Sequence, residues 1–482
     1  MKTLITFIFL TIILLSGFAP LYTSALAMPE VEGRSLILME QSTGTVLFDV
    51  NPGVRIFPAS TTKILTAIVM REHIGPEEII LIGPEVNMTP PGSSRAFLSE
   101  GSYISGINLL RGIIVTSGND TSNVIAAEVA RRVSGNAYML FDEAERIFVD
   151  LMNEKARELG AYNSNFMNAH GFHHEQHFST AMDMAVIARA ALSDPLLRQI
   201  FAESYYEGPG VTGEIPEGMR VSNYNWTTGN MLLVEDNAHF FPYATGMRTG
   251  FHNHANHALV SSASKDGFDL IAAAFQSRID VRFRDSIAMF NFGFDNFGFT
   301  QIQRDGTVID NIAFHNPMLG EITHMDVKVV GDYTQILQIR EFDRVIPTIN
   351  YRMSLFHTPT EEELEGEGDD PDPGPRLILP VEEGDVLGEI IYTLNGAEIF
   401  RADIVATMTA MPRTMETDFY FYRGRFFEFI GSRGAIPIWI GAGIVFLLIL
   451  RWILRLIRRK KRRKMFDNRK GDKRLHYRYR RY

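Results

Sequence analysis

In Pro58-Ala-Ser60-Thr-Thr-Lys63 a hydroxyl and an amine stand three residues apart, and the pattern after Pro58 predicts a helix over 60–72. Residues at i and i+3 share a helix face about one turn apart, so Lys63, if neutral, can take the proton from Ser60. A helix start also offers unpaired backbone N–H groups to a developing oxyanion. The spacing alone is weak, because a chain this long carries about one or two Ser-x-x-Lys matches by chance. Ser262-Ala-Ser-Lys265 is such a match, and it lies across a predicted turn.

A second group, Ser117-Gly-Asn119, follows the apolar Ile113-Ile-Val-Thr116. Its hydroxyl can relay a proton to a leaving amine, and its amide can hold a substrate carbonyl. Ser134-Gly-Asn136 has the same triplet but reads as a helix C-terminus. A third group, Arg248-Thr-Gly250, sets a cation, a hydroxyl and a glycine just before a predicted strand at 258–263, where they suit a free carboxylate approaching along a sheet edge.

Taken together and in this order, Ser-x-x-Lys, Ser-x-Asn and basic-Thr-Gly resemble the signature set of penicillin-binding proteins and serine β-lactamases. The chain resembles the low-molecular-mass penicillin-binding proteins that act as serine-type D-alanyl-D-alanine carboxypeptidases. The likeness also takes in Asn168-Ala-His-Gly171, His177-Phe-Ser-Thr-Ala-Met-Asp183 and Pro380-Val-Glu-Glu-Gly384 with Gly388, and covers about residues 31–412. The resemblance implies Ser60 as the acylated nucleophile, Lys63 as its base and Ser117 as a second proton carrier. It implies Asn119 as a positioning group, Arg248, Thr249 and Gly250 at the terminal carboxylate, and the backbone N–H groups of Ser60 and Phe251 as the oxyanion hole. The implied substrate is a peptidoglycan stem peptide ending in D-Ala-D-Ala; the implied inhibitors are β-lactams; no cofactor or metal is implied. The family usually has Lys where this chain has Arg248, which keeps the charge but cannot exchange protons.

These residues need elements to hold them. Residues 35–50 read as a hairpin about Ser42-Thr-Gly44, and 258–263 with 268–275 as a second hairpin about Ser264-Lys-Asp-Gly267. Helical patterns run over about 107–133, 137–159 and 180–204. Strands at both ends enclosing helices predict an α+β (α/β) catalytic domain, an antiparallel sheet carrying a helical block, which is the transpeptidase fold the resemblance implies. Short β-rich runs beyond 301 predict a small, β-sandwich-like domain over 301–412, with an acidic loop at 360–375 that has little to bury. The expected order is a signal peptide at 1–27, a catalytic domain at 28–300, the β domain, a juxtamembrane amphipathic segment at 413–433, a transmembrane helix at 434–457 and a basic tail at 458–482. An interfacial helix is the other reading of the apolar segment.

The net charge of −10 conceals a divided chain. The segment 451–482 carries 16 Lys/Arg against two Asp and the leader one Lys, so residues 28–450 carry −25. Such a body repels nucleic acid, and the basic end suits anionic lipid on the cytoplasmic side. With no cysteine, disulfides and thiolate chemistry are excluded. Histidines crowd at 170, 173, 174 and 177 and again at 252, 254 and 257, but His174-Glu-Gln-His177 is one residue short of a zinc-binding His-Glu-x-x-His, so no metal is expected. His177 is expected to be structural, and Asp183 and Arg189 to be a structural pair or solvated. Besides the carboxypeptidase, two classes remain: a catalytically weak peptidoglycan or β-lactam binder of the same fold, and a β-lactamase, for which no Glu-x-x-Leu-Asn segment is found to activate water.

Overall fold

The computed structural model describes residues 26–211, 215, 217–318, 320, 322–365, 373–431 and 436–475. Apart from Leu26 and Ala27, the expected leader lies outside the described residues, as do 366–372 of the acidic loop, 434–435 of the expected membrane helix and the end of the basic tail.

Ser35–Glu40 (β1) and Val46–Val50 (β2) form the first hairpin, joined through Gly44, whose φ of +77° is left-handed. Three long strands, Ala244–His252 (β3), Asn256–Lys265 (β4) and Phe268–Ser277 (β5), complete an antiparallel sheet in the order β2-β1-β5-β4-β3. The β4–β5 link is the pair Asp266-Gly267, both at positive φ, the turn whose twist matches that of the strands it joins. Alternate residues of β1 and β5 serve two cores. Ile37, Met39, Ile271, Ala273 and Phe275 face a helical block, while Leu36, Leu38, Leu270, Ala272 and Ala274 face Val281–Asn296 and its aromatic side chains. Burial on both faces explains why β1 reads as an unbroken apolar run.

The helical block contains Lys63–His73 (α1), Gly106–Ile114 (α2), Asn119–Ser134 (α3), Phe141–Glu158 (α4), Ala181–Leu192 (α5) and Pro195–Phe201 (α6); Val281–Asn296 is α7. Helix α1 buries Lys63, Ile64, Leu65, Thr66, Ala67, Val69 and Met70 at the centre of the block and turns its polar last turn, Arg71-Glu-His73, toward solvent. Two expected long helices are each divided. The 107–133 run breaks at 115–118, and the 180–204 run breaks before Pro195, where Asp194 caps α6 by accepting from the Leu196 and Leu197 N–H groups. The fourth helix starts at Phe141, later than the predicted 137.

Residues up to Thr300 form one compact unit together with Gln335–Asp343, and Gln301–Thr334 with Arg344 onward form a second. In the first unit, Ile336 packs on the core between the sheet and α7. The second unit contains a seven-stranded sheet around Val327, Val329, Leu377, Ile390, Ile404 and Ala406. Its longest hairpin, Val386–Leu394 with Ala397–Ala406, turns on Asn395-Gly396, both at positive φ. The first part of the acidic loop is a helical turn, Glu361–Glu365. Thr360 and Glu363 satisfy each other's backbone N–H reciprocally, at 2.8 and 3.3 Å, so a capping box orders residues that have little apolar surface to bury. Helices Met415–Gly431 and Ile436–Leu475 follow, and the stretch Ile440–Lys460 is long and apolar enough to cross a membrane.

Candidate active site

Ser60 lies on a 3-10 turn, Ala59–Thr62, that runs directly into α1, so Lys63 opens the α-helix just beneath it. Two glycines wedge this turn in place. A Cβ on Gly171, at φ +84°, would fall 1.8 Å from the Ala59 carbonyl oxygen. One on Gly250 of β3 would fall 2.9 Å from the Pro58 oxygen and 3.1 Å from the Ser60 nitrogen. The edge strand therefore touches the Ser60 backbone, which brings the Ser60 N–H and the adjoining strand amides to one place.

Lys63 is fully buried. Its Nζ lies 2.7 Å from Asn119 Oδ1, 2.8 Å from the His170 carbonyl oxygen and 3.2 Å from Ser60 Oγ. A neutral amine has two N–H bonds and one lone pair; the two shorter contacts, both to carbonyl oxygens, occupy the donors and leave the lone pair for the Ser60 hydroxyl. Burial holds the Lys63 pKa well below the ordinary lysine value, the Arg248 charge lowers it further, and Asp120 works in the opposite direction.

The break at 115–118 brings Ser117 to the groove. Ser117 itself is left-handed at φ +66°, a conformation costing a non-glycine residue about 1 kcal/mol. Gly118 cannot carry a side chain, since a Cβ there would lie 2.6 Å from Thr121 Oγ1 and 2.7 Å from the Ala96 Cβ. The buried Asp120 carboxylate accepts from the Ala96 and Leu98 N–H groups at 2.8 and 3.1 Å and pins the start of α3 to the 94–98 segment. A helix running straight through would leave both amides unpaired.

Arg248 is buried on β3, and its Nη1 donates to the carbonyl of Ile114, the last residue of α2. Its Nε has no hydrogen-bond partner among the described residues, and burial lowers the group to about 10, still cationic at neutral pH. Ser60, Ser117, Asn119, Arg248, Thr249, Gly250 and Phe251 all line one groove of about 640 Å³, and Lys63 sits under its floor. The Phe251 ring is exposed and stacked on His257 at 4.3 Å. The look-alike motifs lie elsewhere. The Ser262 hydroxyl bonds Thr245, Lys265 sits over the Tyr243 ring, and Ser134 bonds back to Ala130 beside the left-handed Gly135 that ends α3.

One charged groove residue escaped the sequence. Arg282, from the first turn of α7, has Nη1 at 2.9 Å from His257 Nδ1, and burial lowers it to about 10. Its Nε is buried without a partner among the described residues. Nothing distinguishes it in sequence from Arg278 and Arg284 beside it. His177, held neutral by burial at about 3, meets Thr62 Oγ1 at 2.9 Å and accepts from the Met167 N–H, steadying the turn that carries Ser60. Asp183 and Arg189 are not paired. Asp183 accepts from the Asn163 N–H and the Ser164 hydroxyl, and Arg189 donates to the carbonyls of Gln41 and Ser42, because the two point from opposite sides of α5. The two histidine groups do meet: His173 stands against His252 and His254.

Residues 22–278 match the family described as D-alanyl-D-alanine carboxypeptidase. The D-alanyl-D-alanine carboxypeptidase DacF of Bacillus subtilis is 31% identical over 249 residues, 51% of this chain and 57% of that one. DacC of Escherichia coli, with the same activity in its name, is 28% identical over 417 residues, 83% of this chain and 88% of its own. Among solved structures, penicillin binding protein 5 from Haemophilus influenzae superposes with a TM-score of 0.54 at 24% identity, covering 80% of this chain and 99% of that one, which shows a shared fold.

Proposed function

Because this chain belongs to the D-alanyl-D-alanine carboxypeptidase family, we propose that its groove removes the last D-alanine from peptidoglycan stem peptides by way of an acyl-enzyme on Ser60. The enzyme is a serine hydrolase of cell wall metabolism acting on D-Ala-D-Ala. Ser60 Oγ attacks the carbonyl of the penultimate D-Ala while Lys63 takes its proton, and the N–H groups of Ser60 and Phe251 receive the oxyanion. The C–N bond then breaks as Ser117 gives its proton to the departing D-alanine amine and takes the Lys63 proton in its place, and water cleaves the Ser60 ester with Lys63, neutral again, as base. Asn119 orients Lys63 and the substrate amide, while Arg248, Thr249 and Arg282 face the terminal carboxylate. β-Lactams, which resemble the dipeptide, acylate Ser60 in its place.

The observation that carries this reading is the buried amine of Lys63, its pKa lowered by burial and by Arg248, set 2.7 and 2.8 Å from two carbonyl oxygens and 3.2 Å from the Ser60 hydroxyl. The test incubates the enzyme and Ser60→Ala with a diacyl peptide ending in D-Ala-D-Ala, measures free D-alanine, and labels both with fluorescent penicillin. Release and labelling that both vanish in the variant are expected. Labelling without release in the unaltered enzyme would replace the hydrolase by a binder whose turnover is blocked, and neither in folded protein would remove Ser60 from the mechanism.

The leader and the apolar Ile440–Lys460 stretch support export followed by anchoring, with the hydrolase outside the cell membrane and the cluster 458–464 on the cytoplasmic side.

A further inference from the structure

We propose that His173, His252 and His254 form a binding site for a divalent first-row cation, zinc above all, that ties the 170–177 segment to the β3–β4 turn at the rim of the groove. Their ligand nitrogens all lie within 4.8 Å of one another, although the three residues come from two loops far apart in the chain. The His173 and His254 rings stack at 3.9 Å and 11°, and His252 stands 5.2 Å from His173. Nitrogens sharing a tetrahedral zinc stand about 3.4 Å apart, for metal–nitrogen bonds of about 2.05 Å. Parallel stacked rings cannot both aim their in-plane lone pairs at one ion, so His254, exposed on the turn, swings out of the stack to bind.

The surroundings suit ligation. His173 Nδ1 is buried with no partner among the described residues, while Nε2 faces the Glu175 carboxylate at 3.5 Å. A carboxylate on one nitrogen favours the proton there and leaves the lone pair of the other for a metal, the usual outer-shell arrangement of a histidine ligand. The Phe57 ring stands edge-on to His173 at 4.9 Å and limits its rotation. Against ligation, His252 Nδ1 accepts from the Ala255 N–H at 3.0 Å, a bond that must be given up or rearranged. The loss of one such bond is small beside the affinity of three imidazoles. Three nitrogen ligands leave a fourth position for water, and His252 itself lines the groove. The proposal is independent of the hydrolytic reading.

A second trio, His315, His357 and Glu363, is a competitor in the other unit, but Glu363 already accepts from His357 Nε2 and Thr360 N–H. The experiment therefore locates the site as well as detecting it. Full-length protein in detergent, stripped with a chelator, is titrated with zinc alone against a chromophoric competitor, and with cobalt to read coordination from its visible absorption. His173→Gln and His254→Ala are each expected to remove one zinc equivalent, or weaken it at least about tenfold, together with the intense tetrahedral cobalt bands. His174→Ala, beside the trio, is expected to retain both, and unchanged melting temperatures show that the variants fold. Absence of zinc binding to the unaltered chain overturns the proposal, as does zinc stoichiometry that is unchanged in both variants or lost only in His357→Ala.

Discussion

At the scale of single residues, the proposed mechanism requires Lys63 to be uncharged when it takes the Ser60 proton. The acylation rate is expected to climb with pH as Lys63 loses its proton, and, because its pKa is lowered, to reach its plateau below the ordinary lysine range near about 10.4. Arg248→Gln removes one of the two lowering causes, so the Lys63 pKa rises and the climb moves to higher pH, which a pH profile of penicillin acylation reads directly. Arg248→Lys retains the charge and is expected to keep that profile, with acylation within about tenfold of the parent, roughly 1.4 kcal/mol. A larger loss would mean that the planar guanidinium's bond to the Ile114 carbonyl matters as much as its charge.

At the scale of elements, the reactive turn is held by backbone contacts that allow no side chain. Gly250→Ala is expected to push β3 off the turn and cut acylation by about 10²-fold, the scale of losing an oxyanion donor, with little change in melting temperature. Gly171→Ala adds a left-handed alanine to a clash with the Ala59 carbonyl and is expected to cost about 3 kcal/mol or more in denaturant unfolding. Much of this was legible before any coordinates. Ser60 and Lys63 are neighbours on one turn, so their spacing alone juxtaposes them, and Asp266-Gly267 announces its hairpin because its residues suit only that twist. The break at 115–118 was hidden, since Ile113-Ile-Val-Thr116 fits a continuing helix and the chain is stopped by Asp120 reaching Ala96 and Leu98. Arg282 and the meeting of His173 with His254 are tertiary facts that no local pattern encodes.

At the scale of the whole molecule, the hydrolase unit reaches past residue 300 to reclaim Gln335–Asp343. A chain ending at 300 is expected to keep penicillin acylation but to lose about 1 kcal/mol of unfolding free energy for the partly buried Ile336 side chain it strips from the core. Loss of acylation in a folded truncation would assign the second unit a part in the chemistry. A chain ending at 412 is expected to leave the membrane fraction in a sedimentation assay, since Ile440–Lys460 goes with the tail. Within the first unit, the Arg248 bond to Ile114 joins the edge strand to the helix that leads into Ser117, while Lys63 ties the Ser60 turn to Asn119 at the start of α3. The Arg248 bond therefore ties the sheet side of the groove to its helix side, while the Lys63 bond ties two helices of the block beneath it. With the two sides tied in this way, deuterium uptake on acylation is expected to change in the rim segments 170–177 and 251–257 and to stay level in α1 and β5.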